Sequence, residues 1–163
     1  MSDFKQMSTP INPEFVERYQ NEYEKNPNSR VFAPLAEAYR RMGLIEEALQ
    51  VCAHGVEVHP QFASGRVAYA KVLLEQDRFD EALKQLDMAI QISPDNLMAH
   101  SLRGETLIKL RKPKEALKAF KMVLYLHPED ERALSAVQKW EFLTADEYEP
   151  DLFSVKPQFE ATS

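Results

Sequence analysis

Three segments of this chain end alike, and the distance between them is constant. Val58-His59-Pro60, Ile92-Ser93-Pro94 and Leu126-His127-Pro128 place their prolines 34 residues apart both times. Twelve residues ahead of each proline stands a second matching triplet, Glu47-Ala48-Leu49, Glu81-Ala82-Leu83 and Glu115-Ala116-Leu117. Farther upstream a small residue recurs at a fixed offset, as Ala36, Ala70 and Gly104. A period of this length confines the chain to stacked supersecondary units, each too small to bury its own apolar face and each covered by the next.

The pattern inside one period is helical. Phe79, Ala82, Leu83, Leu86, Ala89 and Ile90 form a stripe at i, i+3, i+4, i+7 spacing, and Ile45 to Val56 and Pro113 to Leu124 repeat it. A second helix precedes each stripe, carrying Leu35, Ala36 and Tyr39 or Tyr69, Ala70 and Leu73. Two helices joined by a short turn make a hairpin, in which small residues let the backbones approach closely. The proline cannot continue the second helix and separates one hairpin from the next. Pro34, early in a first helix, should shift its start or bend it.

A helix–turn–helix of 34 residues with small residues at its 8th and 20th positions and proline at its 32nd resembles the tetratricopeptide repeat (TPR). In that register the repeats run 29–62, 63–96 and 97–130. Phe120 meets the family's aromatic at position 24, where Cys52 and Leu86 stand in the other repeats. Phe32 meets the large apolar residue of position 4, where Arg66 and His100 depart from it; position 7 is Leu35, Tyr69 and then Arg103. The resemblance implies an all-α fold, a right-handed superhelical solenoid whose first helices line a concave face. The family's binding positions fall on Arg30, Ala33, Glu37, Arg40 and Arg41 in repeat 1 and on Ser64, Val67, Lys71, Leu74 and Glu75 in repeat 2. In repeat 3 they fall on Met98, Ser101, Glu105, Ile108 and Lys109. Val67, Leu74, Met98 and Ile108 are the expected apolar contact points among charges of both signs, a mixture that suits an extended peptide or a partner helix.

The resemblance also implies a partner that is another protein or a peptide, with no cofactor. One family member type, the co-chaperone that clamps acidic C-termini with lysine, asparagine and arginine, is excluded, because Ala33, Glu37, Met98 and Leu102 occupy the clamp positions. Two types remain open. One is a bacterial adaptor of a signalling, polarity or motility complex, whose partner would be a signalling protein such as a small Ras-like GTPase. The other resembles the chaperones of type III secretion, which cradle an unfolded segment.

The stack needs covers at both ends. Residues 1–11 read as a flexible N-terminus. Residues 12–28 read as a lone helix, started by Asn12-Pro13-Glu14, carrying Phe15, Tyr19 and Tyr23, and stopped by Asn26-Pro27. Residues 131–144 read as a capping helix with Leu134, Val137 and Trp140 on one face. The chain then changes character at residues 145–163, where acids alternate with bulky apolar residues and two prolines forbid a continuous helix. Tyr148, Leu152, Phe153 and Phe159 form the tail motif. Such a tail either docks on its own solenoid, through Phe153 and Phe159, or remains a disordered solubilising extension; the sequence leaves both open.

Charge narrows the function further. The net charge of −6 divides into −2 over residues 1–28, zero over 29–143 and −4 over 144–163. A body without basic excess is not built to neutralise phosphates, which argues against nucleic acid. Lys109, Arg111, Lys112, Lys114, Lys118 and Lys121 do crowd one hairpin, as a solvated outer face or as a dock for an acidic segment, but no aromatic residues interleave with them.

No glycine-rich phosphate loop and no hydrolase signature occurs, so no enzyme is expected. Cys52 falls on a core column as an inert thiol, and a single cysteine points to a reducing, cytoplasmic setting. His59 and His127 are expected to face solvent, and no histidine pair has the i, i+4 spacing of a helical zinc site. No membrane span and no signal peptide is expected.

Overall fold

The computed structural model describes residues 11–145. Among them every regular element is helical, in the order α1 (Pro13–Lys25), α2 (Phe32–Arg41), α3 (Ile45–Val58), α4 (Ala63–Glu75), α5 (Phe79–Ile92), α6 (Leu97–Lys109), α7 (Pro113–Leu126) and α8 (Glu131–Ala145). The expected flexible N-terminus falls almost wholly outside the described residues, and so does the tail motif of Tyr148, Leu152, Phe153 and Phe159.

Helix starts are capped where the sequence supplies an Asx residue. Asn12, Asn96 and Asp130 accept the N–H of Glu14, Ala99 and Ala133 at 3.0, 2.9 and 2.8 Å. Helix ends follow one rule. The backbone N–H of Asn26, His59, Ser93 and His127 returns to the carbonyl four residues back, and proline follows each at once. α1 therefore ends as a second helix of a repeat ends, although among the described residues no helix precedes it. Pro34 is the third residue of α2, which starts at Phe32, so its missing N–H falls in a first turn with little to lose.

The hairpin turns share a further column. Gly43, Asp77 and Arg111, each 34 residues from the next, have φ of 78°, 54° and 59°. The turn needs a left-handed residue, and only the first repeat supplies glycine there.

Hairpins α2/α3, α4/α5 and α6/α7 stack in order, and the first helices α2, α4 and α6 also touch one another. The core runs through the stack as three clusters. Phe32, Leu35, Ala36, Ala48, Cys52 and Val72 form the first, against which Tyr19 and Tyr23 of α1 pack. Leu73, Ala82, Leu86, Ala99 and Leu102 belong to the second, and Leu107, Ala116, Ala119 and Phe120 form the third. Val137 and Trp140 of α8 close the third cluster.

The departures at position 4 are accommodated by polar contacts. Where Phe32 fills repeat 1, the Arg66 Nε–H donates to the Pro60 carbonyl at 3.0 Å, and the His100 Nε2–H donates to the Pro94 carbonyl at 2.8 Å. Each polar side chain thus reaches back to the repeat proline before it, and His100 is buried in doing so. Arg103 is held by Asp87 at 2.8 Å. His59, expected to face solvent from its turn, is instead half-buried. Its ring stacks on Phe32 with centroids 6.4 Å apart, and Nε2 binds the Asn28 carbonyl. His54 Nε2 meets the Asn28 side-chain oxygen at 3.0 Å, so one histidine within α3 and one at its C-cap hold the α1–α2 connection.

Candidate functional site

Side by side, α2 and α4 leave a depression of about 350 Å³ that reaches the start of α6. Ala33, Pro34, Val67 and Ala68 make its apolar floor, Glu37 and Lys71 stand at one end, and Phe62, Ser64, Asn96 and Met98 complete the rim. Small residues on the first helices open this space: Ala33 and Ala68 are both buried, so neither side chain projects far from its backbone. Met98 is 49% exposed at the first turn of α6. The Arg30 guanidinium lies 5.0 Å from the centroid of the Phe62 ring, a cation held over an aromatic face beside the depression.

Of the positions expected on the concave face, Ala33, Glu37, Ser64, Val67, Lys71 and Met98 converge on this depression. The others stand apart from it. Arg40 and Arg41 are drawn to Glu37, Ser101 and Glu105 are half-buried along α6, and Lys109 is exposed at its end. Two of the four apolar contact points differ from expectation. Val67 and Leu74 are 7% and 8% exposed and belong to the second core cluster, so Val67 shows only an edge to the depression and Leu74 does not reach it. Ile108 is half-buried against the third cluster. Pro34, Phe62, Ala68 and Asn96 were not legible as lining residues. Phe62 closes repeat 1 and Asn96 closes repeat 2 in the 34-residue register, so the shared last position was the available signal.

The electrostatic centre of the face is Glu37. Its carboxylate meets Arg40 at 2.7 Å, Arg41 at 3.1 Å and, more loosely, Lys71 at 4.0 Å, while Arg40 also reaches Glu75 at 2.8 Å. Burial acts to raise the Glu37 pKa. The Arg40 hydrogen bonds, then the charges of Lys71, Arg40 and Arg41, outweigh it and hold the group at about 2. The same network keeps Arg40 protonated above its ordinary range against its own burial. Burial, assisted by the Glu37 charge, pushes the Cys52 thiol up to about 12. Among the described residues no three His, Cys, Asp or Glu side chains stand together as a metal site, and no helix is long and apolar enough to cross a membrane.

In the α6/α7 hairpin the basic cluster is exposed at Lys109, Arg111, Lys112, Lys114, Lys118 and Lys121, and Lys121 pairs with Glu141 of α8 at 2.7 Å.

Two family models described as tetratricopeptide repeat match residues 33–96 and 73–139. No curated protein matches the sequence. Solved structures do. The crystal structure of MamA aligns at a TM-score of 0.73 and 17% identity, over 80% of this chain and 77% of that one. YrrB, described as a TPR protein with an unusual peptide-binding site, aligns at 0.72 and 20% identity, over 84% and 70%. The first TPR of Spaghetti (RPAP3), bound to the HSP90 peptide SRMEEVD, aligns at 0.68 and 23% identity, over 73% and 97%. At these identities the likeness is one of fold.

Proposed function

Because the chain belongs to the tetratricopeptide-repeat family, we propose that it is a protein–protein interaction module that seats an extended segment of a partner in the depression between α2 and α4. The observation that carries this reading is the convergence there of six expected binding positions over an apolar floor. Alternate side chains of an extended segment can enter such a floor while its backbone stays near Ser64 and Asn96. Relatives of the same fold described as peptide-bound or as having a peptide site support the mode of use. They do not transfer the ligand. The occupant differs from SRMEEVD, since Ala33, Glu37, Met98 and Leu102 replace the residues that grip an acidic terminus. A segment with a bulky apolar side chain, set against Met98 and Phe62, fits better.

The size of the depression favours an adaptor gripping one short segment over a cradle for long unfolded cargo of the type III secretion kind. A signalling partner, a small Ras-like GTPase included, would present such a segment as a loop or terminus. Binding rather than turnover is the activity assigned: Glu37 is committed to three cations and Cys52 is buried as a neutral thiol, so neither is a ready base or nucleophile. That neutral thiol suits a reducing, cytoplasmic setting.

The test is selection from a displayed random-peptide library, followed by calorimetry on the selected peptide. Met98→Asp, at an exposed position, should lower affinity at least tenfold, about 1.4 kcal/mol. Val67→Asp is unsuitable because it would also charge the core. If Met98→Asp leaves affinity unchanged, or if no peptide is selected, the groove is not the binding site.

A further inference from the structure

The outer faces of the second helices carry the same columns with opposite signs. In α3 these columns hold Glu46 and Glu57, and in α5 they hold Asp80 and Asp87 beside Lys84. In α7 they hold Lys114, Lys118, Lys121 and Tyr125, a stripe at helical spacing with no acid in it. Tyr125 is 81% exposed, and Met122 beside it is 41% exposed. Lys121 is paired with Glu141, whereas among the described residues Lys114 and Lys118 have no ion-pair partner. A solvated face needs neither a tyrosine as exposed as Tyr125 nor three like charges on adjacent turns, which repel one another.

The chain supplies a complement. Val137 and Trp140 of α8 pack on the cluster that includes Ala116, Ala119 and Phe120, and Glu141 pairs with Lys121, so the second half of α8 lies against the middle of α7. The next residues are Asp146-Glu147-Tyr148-Glu149, and the segment from 144 to the end has a net charge of −4 with Leu152, Phe153 and Phe159 spaced along it. α7, with 14 residues, is about 21 Å long, and residues 146–163 reach at most about 60 Å when extended. The segment is tethered to a helix that packs on α7, and it has length to spare along the whole stripe. Attachment through α8 gives it a high effective concentration there, so individually weak contacts suffice.

We propose that residues 146–163 dock on the outer face of α7, their acids on Lys114 and Lys118 and their aromatic residues on Met122 and Tyr125. The docked segment covers the layer opposite the α2–α4 depression and leaves that depression open, so this proposal and the groove reading can fail separately.

The experiment uses the full chain. Ser154→Cys places a reactive thiol in the segment while Cys52 stays buried, so a nitroxide attaches at one site. The expected result is loss of the amide signals of Lys114, Lys118 and Tyr125 and survival of those of Ala33, Ser64 and Val67. The signals should return at about 1 M salt, where the Debye length falls to about 3 Å, and in Lys114→Glu/Lys118→Glu, whose exposed positions leave the melting temperature unchanged. Loss confined to the groove amides would show the segment on the concave face and overturn the proposal. Loss on α7 only between separately labelled molecules would show docking in trans and overturn it equally, as would no loss anywhere.

Discussion

Phe32 is fully buried, and its ring fills the space between Gly55 of α3 and Gly65 of α4. A Cβ at either glycine would land on that ring well inside van der Waals contact. Gly65→Ala should therefore cost roughly 1–3 kcal/mol through overpacking, more than alanine's usual gain in a helix of about 0.5–1 kcal/mol. Urea denaturation measures it, and Phe32→Leu in the same chain should recover part of the loss. An unchanged midpoint for Gly65→Ala would mean that Phe32 does not sit where described. Arg111 makes the opposite case. It holds a φ of 59° that L side chains enter at a cost, so Arg111→Gly should raise stability by up to about 1 kcal/mol. Asp77→Gly should gain less, because aspartate tolerates that region better.

Among the helices α1 has the weakest hold. Val16 is its one buried residue, Tyr19 and Tyr23 are half-buried, and its connection to α2 is pinned by His54 and His59 through Asn28. Asn28→Ala should release the His54 bond, costing on the order of 1 kcal/mol, and quicken hydrogen exchange in α1 while leaving α5 to α7 unchanged. Equal exchange in both proteins would assign the anchoring to the tyrosines alone. The same elements mark what the sequence could and could not disclose. The ends of the second helices were legible because proline and small residues act locally, on one helix end or one close approach. Asn28 was not, since nothing within its own segment signals two histidines arriving from another helix and its C-cap. At the depression, Ala33, Glu37, Ser64, Val67, Lys71 and Met98 followed from the binding positions that the TPR resemblance implies, whereas Val67 and Leu74 lost their exposure to neighbours that the repeat pattern does not describe. Phe62 and Asn96 lie between helices, where a helical pattern carries no information.

At the scale of the stack, Glu37 links α2 to α4 through Lys71, and through Arg40 and Glu75. Its pKa is depressed in the fold from 4.5 to about 2, so its contribution is complete above the unfolded value and is lost as pH falls from 4.5 toward 2. Glu37→Gln should lower stability near neutrality by on the order of 1–2 kcal/mol, and the difference from the parent chain should vanish in that acid window. A difference that persists unchanged through it would show that packing, not charge, is what the substitution removes. The position 4 column has a consequence in temperature. The seam of repeat 1 is closed by the Phe32 ring, whereas Arg66 and His100 reach back to Pro60 and Pro94 with hydrogen bonds. Apolar closure weakens on cooling and polar closure does not follow it. Near freezing the solenoid should therefore loosen first at the α1–α3 end, so that cold frays the molecule from the end that holds its groove.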